Sequence, residues 1–374
     1  MKRSFVFLVM FLFCLSASFA WKAGFAHCKS ITIPNTNVDA DLANFSVYVP
    51  IVNDTGLMDG CQADLDDIIF TTTNDADLYF ELLPGYNQST GNADYYVLVN
   101  PVDHDANTVI YCYYENPSAT KSSYNDPTKV FDTANGWVAV CHLEEASGTI
   151  YDATSNSVDS DATTGTPDYR QAGKVGYGIQ YSDIEYHTFT DGWVEALTAT
   201  VTSYTFELWY KQTGTCSNYR YWLDAQTAGK IGLKRHSSST SFAVSENGEA
   251  YDATITTNIF DGAFHHLAFV SLAKIGETNG QRQAYIDGLP EGDSIIRYST
   301  SFDVTGEDIY LPDNAGDIDG ILDEVRISNT NRSAAWIKFG FYNSHDGHAV
   351  GNELTWGSEA SPPSTYIPKV VIIR

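Results

Sequence analysis

Ser203-Tyr-Thr-Phe-Glu-Leu-Trp-Tyr210 places apolar and polar side chains in near alternation, the period-two pattern of a β-strand with one buried face. Short runs of the same kind, rich in Val, Ile, Thr, Tyr and Phe, recur with turn residues between them. Examples are residues 45–51, 95–99, 108–114 and 284–288. Helical periodicity is confined to short stretches such as 331–339, where Asn329 or Thr330 would serve as the cap. The sequence therefore predicts an all-β protein.

Several segments around this strand follow one another in an order that is specific as a set. They are Asp152-Ala-Thr-Ser-Asn156, Phe206-Glu-Leu-Trp-Tyr210, Asp261-Gly-Ala-Phe-His-His-Leu-Ala-Phe-Val270, Ala284-Tyr-Ile-Asp-Gly288 and Gly320-Ile-Leu-Asp-Glu-Val-Arg-Ile-Ser328. The ordered set resembles the bacterial laminin-G-like branch of the concanavalin A-like lectin/glucanase superfamily. That resemblance implies an antiparallel jelly-roll sandwich. We expect the large apolar side chains of Phe206 and Trp209 to fill the space between its two sheets.

A second strand-rich block precedes this set. Its segments Lys29-Ser-Ile-Thr-Ile33, Leu42-Ala-Asn-Phe-Ser-Val-Tyr-Val49 and Asp67-Ile-Ile-Phe-Thr-Thr72 resemble a domain of unknown function found before laminin-G-like domains in secreted bacterial proteins. The resemblance implies a smaller β-sandwich and no particular chemistry. A Ser/Asn/Asp/Pro-rich stretch at 126–135 separates the two blocks. The predicted organisation is a signal peptide at 1–20, an N-terminal β domain at 21–132, the concanavalin A-like domain at 133–360 and a tail at 361–374.

The first twenty residues have the pattern of a secretory leader. Lys2 and Arg3 precede an apolar run, and small residues ending at Ala20 provide a cleavage site. The run is shorter than the roughly 20 residues that cross a bilayer. Its removal leaves 19 basic against 47 acidic residues, hence a formal net charge of −28. Such a surface repels nucleic acid and anionic lipid, so we expect neither of them as a partner. The leader and its short apolar run predict a secreted or cell-surface protein with no membrane span.

Export permits disulfides, but five cysteines remain after the leader, so at least one is unpaired. The spacing leaves the pairing open, and we favour Cys28 with Cys61.

The sequence lacks the carboxylate pair of the superfamily's glucanases. Such enzymes place a nucleophile and a general acid on one strand. Here Glu-x-Asp occurs at Glu291-Gly-Asp293, and Ile295 and Ile296 follow where a second Glu should stand. Nucleophile-elbow, zinc-protease and phosphate-loop motifs are also missing from the sequence. We therefore expect a binding protein and not an enzyme, with a protein-binding adhesive or structural role, or a divergent glycoside hydrolase, as alternatives.

Carbohydrate is the ligand class that the composition favours. The chain is 13% aromatic with 24 Tyr, and aromatic rings stack on the apolar faces of sugars. Because tyrosine is also common in strands, composition alone does not locate a site. The candidate sugar-contacting residues are Trp193, Tyr219, Tyr221 and Trp222.

A run of acidic residues late in the chain raises the question of calcium. It comprises Asp313, Asp317, Asp319, Asp323 and Glu324. The spacing does not fit a helix–loop–helix calcium loop. In the resembled family, calcium is held between an early Asp-containing loop and a late Asp-Glu pair, which implies Asp152 with Asp323 or Glu324. Strict strand alternation would turn Asp323 inward with Val325 and Ile327, and Glu324 outward with Arg326.

Overall fold

The structure is a computed structural model. It describes residues 21–190, 203–225, 231–235, 241–246, 249–271, 280–297, 308–314, 316, 318–345 and 354–362. The predicted signal peptide and residues 363–374 of the predicted tail lie outside these ranges. In the described residues, strands in antiparallel sheets dominate and helices are few, which confirms the all-β prediction.

Two small sheets make up the first module. Its strands are β1 (His27–Ile33), β2 (Phe45–Ile51), β3 (Ile69–Thr72), β4 (Phe80–Leu82), β5 (Ala93–Val99) and β6 (Thr108–Tyr114). One sheet contains β1, β6 and β3, and the other has the order β2-β5-β4. Ile31, Val47 and Phe70 are fully buried in the core of this module. The predicted small β-sandwich is therefore present.

The second module is the larger sandwich. Its strands are β7 (Trp137–Cys141), β8 (Ala162–Thr164), β9 (Asp168–Ala172), β10 (Tyr177–Tyr181), β11 (Tyr186–Phe189), β12 (Tyr204–Cys216), β13 (Arg220–Ala225), β14 (Ile231–Arg235), β15 (Ser241–Glu246), β16 (Glu249–Thr254), β17 (Phe264–Ser271), β18 (Gly280–Ile286), β19 (Leu289–Arg297), β20 (Ile309–Leu311) and β21 (Ile318–Ser328). Among the described strands, one sheet has the order β19-β18-β17-β12-β21-β10-β9, with β7 also on β21. The other has the order β16-β15-β14-β13-β20-β11-β8.

Alternation along β12 decides which side chains enter the space between these sheets. Phe206, Leu208 and Tyr210 belong to the second core and are each at most 2% exposed. The expectation for Trp209 is wrong, because odd-numbered residues of this strand face the other way. Trp209 lies on the outer face of the sheet, where its ring stacks on Phe341 with centroids 5.6 Å apart.

That outer face is covered by the first module and by a helix. In the part of the chain that the structure describes, the α-helices are α1 (Thr55–Met58), α2 (Pro127–Val130) and α3 (Ala334–His345). Helix α3 begins three residues later than predicted, because Ser333 Oγ accepts the Trp336 N–H at 3.1 Å and caps it. The Asn331 N–H instead donates to Ser203 Oγ at 3.2 Å.

Contacts cross the predicted module boundary at several places. A short strand, β22 (Thr355–Trp356), pairs with β1. Asn343 of α3 accepts the Tyr48 N–H at 2.7 Å and donates to the Tyr48 carbonyl at 3.0 Å. Val140, Val270 and Phe339 join the core of the first module. The two modules on either side of the predicted boundary at 132/133 thus share buried surface.

The favoured Cys28–Cys61 bridge is absent. No disulfide joins any of the five described cysteines, which are Cys28, Cys61, Cys112, Cys141 and Cys216. In the described residues there is no helix with the length and apolar character needed to span a bilayer.

Candidate functional site

A β-bulge in β21 organises the charged part of the interface between the modules. Glu207 of β12 is paired with Arg326, but Trp209 is paired with Asp323, so one extra residue is inserted in β21. Glu324 takes up the irregularity with a φ of 53°. The prediction that Asp323 shares an inward face with Val325 and Ile327 is therefore wrong. Asp323 and Glu324 both contact groups on the outer side of the sheet.

His142 connects the two modules at this bulge. Its Nδ1 lies 2.8 Å from Glu324 Oε1, and its Nε2 lies 3.2 Å from Glu81 Oε2 of the first module. The imidazole stacks on Tyr96, with ring centroids 5.3 Å apart. Burial alone would lower the pKa of His142, but Glu324 and Glu81 hold it well above its usual value. The side chain is therefore a buried imidazolium that is shared by two carboxylates.

Arg326 completes this network on the other side of Glu324. Its Nε and Nη2 donate to Glu324 Oε2 at 3.0 and 2.6 Å. Nη2 also donates to Tyr96 Oη, at 2.5 Å. Burial would raise the pKa of Glu324, but His142 and Arg326 lower it. Both oxygens of Glu324 are thereby committed to neighbouring cations.

An open pocket of about 420 Å³ lies beside this network, and we call it the acidic pocket. Its lining includes Glu81, His142, Glu144, Glu145, Tyr151, Asp152 and Arg170. Glu81 comes from β4 of the first module, Arg170 comes from β9, and the other five follow β7 in the chain. The pocket is therefore built at the junction of the two modules. Its volume is in the range of small-molecule sites.

Glu144 forms the buried wall of the acidic pocket. Its Oε1 accepts the Tyr177 N–H at 2.9 Å, whereas its buried Oε2 has no hydrogen-bond partner among the described residues. Burial, with further contributions from Asp323 and Asp94, raises the pKa of Glu144 to about 10. Gly176 permits this approach, because a Cβ there would lie 2.1 Å from Glu144 Oε1. Glu144 therefore holds its proton more tightly than an exposed glutamic acid does, and one of its oxygens has no hydrogen-bond partner in the described residues.

Glu145 repeats this arrangement nearer the rim. Its Oε1 accepts the Tyr151 N–H at 2.9 Å, and its buried Oε2 has no partner within the described part of the chain. Burial raises the pKa of Glu145 as well. The Tyr151 side chain beside it is 62% exposed. An exposed ring thus stands at the rim of a pocket that contains two unpartnered carboxyl oxygens.

A second pocket, of about 440 Å³, adjoins the first. Its lining includes Asn53, Asn87, Thr90, Asn92, Asp94 and Tyr177, and we call it the amide pocket. Pro84 lines the acidic pocket and Gly85 lines the amide pocket. The Arg170 guanidinium lies 5.5 Å from the centroid of the Tyr177 ring. The two pockets therefore neighbour each other, with Arg170 and Tyr177 at the place where they meet.

The residues predicted to bind calcium lie in separate hydrogen-bond networks. Asp152 Oδ1 accepts the N–H groups of Val140 and Thr154, both at 2.9 Å, and Oδ2 accepts from Thr154 Oγ1 and the Val158 N–H. Asp323 Oδ2 accepts the N–H groups of Lys174 and Val175 at 2.5 and 2.9 Å. Glu324 is bound to His142 and Arg326 as described above.

A different set of possible ligand atoms lies close together in the structure. Among the described residues, three such atoms lie within 4.8 Å of one another at the partly exposed group Asp41, Asp103 and His104. Of the other late acidic residues, Asp317 lies outside the described residues. Asp319 accepts the N–H groups of Asp183 and Thr215. Asp152, Asp323 and Glu324 are therefore not brought into one coordination sphere here.

The three predicted sugar-contacting residues that the structure describes line neither pocket. Trp193 lies outside the described residues. Tyr219 is 54% exposed before β13, and Tyr221 is half-buried beneath Lys234, whose Nζ lies 5.2 Å from its ring centroid. Trp222 is fully buried in the second core, with its ring stacked on Phe260. Trp222 is thus a packing residue, buried in the second core together with its neighbour Leu223.

Glu144, Glu145 and Tyr151 were missed by the sequence reasoning. A signal was available, since Glu144-Glu145 comes shortly after the wholly apolar run Trp137–Cys141. Polar residues at the end of a buried strand are common at functional sites. The opposing wall of the pocket comes from the first module, and no local sequence pattern in that module indicates a site.

The family comparison agrees with this architecture. Residues 186–338 match the sequence model of the concanavalin A-like lectin/glucanases superfamily. The predicted family of the second module is thereby confirmed over those residues, and the match leaves the first module aside. No curated protein matches the chain.

Solved structures that match part of the chain are distant in sequence. Domain 4 of AbnA, an extracellular GH43 arabinanase from Geobacillus stearothermophilus, solved with arabinotriose, has 17% identity and a TM-score of 0.42 over 54% of this chain and 97% of its own. The receptor-binding domain of botulinum neurotoxin C/D mosaic serotype has 10% identity and a TM-score of 0.43, over 55% and 51%. The binding domain of Paraclostridial Mosquitocidal Protein 1 has 13% identity and a TM-score of 0.44, over 56% and 52%. The chain spans about half of the length of these two toxin domains.

Proposed function

We propose that this protein is a secreted, non-catalytic carbohydrate-binding protein and that the acidic pocket is its sugar site. One observation carries the proposal: the exposed Tyr151 side chain lines the same pocket as Glu144 and Glu145, each of which has a carboxyl oxygen without a partner in the described residues. A sugar ring has an apolar face that stacks on an aromatic side chain. Its edge carries hydroxyl groups that donate hydrogen bonds to carboxyl oxygens.

The rest of the pocket is consistent with this role. A volume of about 420 Å³ is enough for a sugar unit with some water. The walls are held by His142 and by backbone N–H groups, so they are ordered before a ligand arrives. Preformed walls reduce the entropy lost on binding. The adjoining amide pocket offers further polar groups to a longer chain.

The test begins with a glycan array probed with the mature protein, followed by calorimetry with the best glycan. Tyr151→Ala should weaken binding about ten-fold, which corresponds to about 1.4 kcal/mol. Tyr219→Ala is the matched control, because Tyr219 is a similarly exposed tyrosine away from the pocket. Equal affinities of the two variants for the glycan would remove the site from the acidic pocket. Loss of binding in Tyr219→Ala alone would place the site at β13, as the sequence predicts.

A glycoside hydrolase is the second candidate. The observation in its favour is that Glu144 and Glu324 have pKa values shifted in opposite directions, as in an acid and a nucleophile. Both oxygens of Glu324 are bound by His142 and Arg326, so this carboxylate is suited to a structural role and poorly suited to nucleophilic attack on a sugar. Steady release of reducing ends from the array-selected glycan, abolished by Glu144→Gln, would establish the enzyme and reject the non-catalytic proposal. If the array finds no glycan, an adhesive role toward a protein partner becomes the leading alternative.

A further inference from the structure

The charge balance of the acidic pocket restricts the kind of sugar it can select. Four carboxyl side chains line it, those of Glu81, Glu144, Glu145 and Asp152. The cations on its wall are His142 and Arg170. His142 is already shared by Glu81 and Glu324. Arg170 is exposed at the rim, with its guanidinium over the Tyr177 ring.

The acids Glu144 and Glu145 have no cation among their hydrogen-bond partners in the described residues. In the described residues, the hydrogen bonds to Glu144 and Glu145 come from backbone N–H groups, those of Tyr177 and Tyr151. Glu144 is 2% exposed and its Oε2 has no partner. Asp323, which acts on Glu144 through its charge, is fully buried and also has an unpartnered oxygen, Oδ1. Buried carboxyl groups are normally paired or fully hydrogen-bonded, so this wall lacks a positive partner.

Three kinds of positive partner are available, and two of them fit poorly. A proton on Glu144 removes the charge but leaves a buried hydroxyl group without an acceptor. Calcium needs six to eight oxygen ligands. The group of three close ligand atoms found among the described residues, at Asp41, Asp103 and His104, does not include residues of the pocket. The third kind is an ammonium group carried by the ligand, which brings one charge and three donors on a single atom.

We infer that the acidic pocket selects a saccharide with a free amino group, of the glucosamine type, whose ammonium lies against Glu144 and Glu145 while its ring stacks on Tyr151. This inference rests on the proposed carbohydrate-binding function. The ammonium donates to the unpartnered oxygens and, by favouring the ionised form of these acids, takes the place of the proton that burial otherwise holds on Glu144. An N-acetylated sugar has the same ring but carries neither the charge nor the three donors. The predicted mature charge of −28 would further attract a cationic chain.

The experiment compares two probes with the same backbone, a glucosamine hexasaccharide and an N-acetylglucosamine hexasaccharide. Calorimetry with the mature protein at about pH 6, where amines are protonated, should show at least ten-fold tighter binding of the glucosamine chain. Glu144→Gln should reduce this preference to less than about three-fold. Glu145→Gln provides a second variant in case Glu144→Gln fails to fold. Glu291→Gln is the control, since that carboxylate is bound by Thr256 and Thr257 away from the pocket, and it should keep the full preference.

The possible failures are distinguishable. Equal or tighter binding of the N-acetylated chain would overturn the inference and leave carbohydrate binding in place. The same holds if both hexasaccharides fail while the array finds a neutral glycan. A preference that survives in both Glu144→Gln and Glu145→Gln would remove it from this pocket and also overturn the inference. An array and both hexasaccharides without any binding would reject the proposed function itself.

Discussion

The long sheet of the second module has two buried faces of opposite character. Its inner face carries Phe206, Leu208 and Leu322 into a core of apolar side chains between the sheets. Its outer face carries Glu207, Asp323 and Glu324, and yet these charged groups are at most 4% exposed. The first module and α3 cover this outer face. One face of these strands thus packs in an apolar core, and the other face forms a polar interface.

This contrast between the inner and outer faces indicates where a functional site can arise in such a molecule. Apolar packing tolerates many side chains of suitable volume, so the inner face specifies the fold and little else. A buried polar face must satisfy each group, and groups without a partner stand out. On the outer face of this molecule, unpartnered oxygens occur at Glu144 and Asp323, next to the open pocket.

Trp222→Ala should have the largest effect, because it empties the centre of the inner core. Fully buried aromatic side chains cost about 3–5 kcal/mol of unfolding free energy when truncated to alanine. Urea denaturation should show this loss, and Tyr221→Ala, at the half-buried neighbouring position, should lose less than about 1 kcal/mol. A stable Trp222→Ala variant with impaired sugar binding would restore Trp222 as a ligand residue.

Arg326→Gln tests the outer face. It leaves Glu324 buried beside one cation instead of two and removes the donor to Tyr96, so we expect a loss of about 3 kcal/mol. Calorimetry should show one unfolding transition in the native protein, because the two modules share buried surface. The variant should unfold earlier, and Arg170→Gln, at an exposed position, should not. Two separate transitions in the native protein would mean that the outer-face network does not couple the modules.

Glu144→Gln should stabilise the protein, with an effect that depends on pH. The folded pKa of Glu144, about 10, is above the usual value of 4.5, so the folded state holds this proton more tightly than the unfolded chain. Stability from this group is therefore fully present below about pH 4.5 and is lost as the pH rises toward 10. Glutamine keeps an acceptor for the Tyr177 N–H and has no proton to lose.

The measurement is the urea midpoint of both proteins across this range. At pH 8 the variant should be more stable by about 2 kcal/mol, and near pH 4 the two should be alike. Glu291→Gln should gain nothing at pH 8, because the Thr256 and Thr257 donors outweigh burial and lower the pKa of Glu291. An equal gain at pH 4 and pH 8 would show that burial of charge is not the cause.

Much of the fold was predictable because it depends on period-two patterns and on an ordered set of motifs. The alternation in Phe206 to Tyr210 fixes which side chains enter the inner core. The prediction for Trp209 rests on the large size of its side chain, whereas its odd-numbered position in the strand directs that side chain to the outer face. Asp323 was misplaced because the bulge at Glu324 shifts the register, and a bulge leaves no clear mark when the residue is not glycine.

The candidate site was less predictable, because it forms between segments distant in sequence. Glu81 and His142 are 61 positions apart, and their contact depends on how the modules pack. Glu144 looks like an ordinary polar residue after a strand until its buried environment is known. The exposed Tyr151 could not be separated by sequence from the other 23 tyrosines.

Calcium binding at Asp152, Asp323 and Glu324 should have the smallest effect of the changes considered. Both oxygens of Asp152 are hydrogen-bonded and Glu324 is bound by two cations, so Asp323 Oδ1 is the unpartnered oxygen in this set. A weak site near half saturation at millimolar calcium would add only about 0.4 kcal/mol, a shift in melting temperature of a degree or two. Asp323→Asn should abolish even this shift between calcium and chelator. A rise of several degrees that disappears in Asp323→Asn would mean that the ion rearranges the outer-face network, and that the charged face was built around calcium after all.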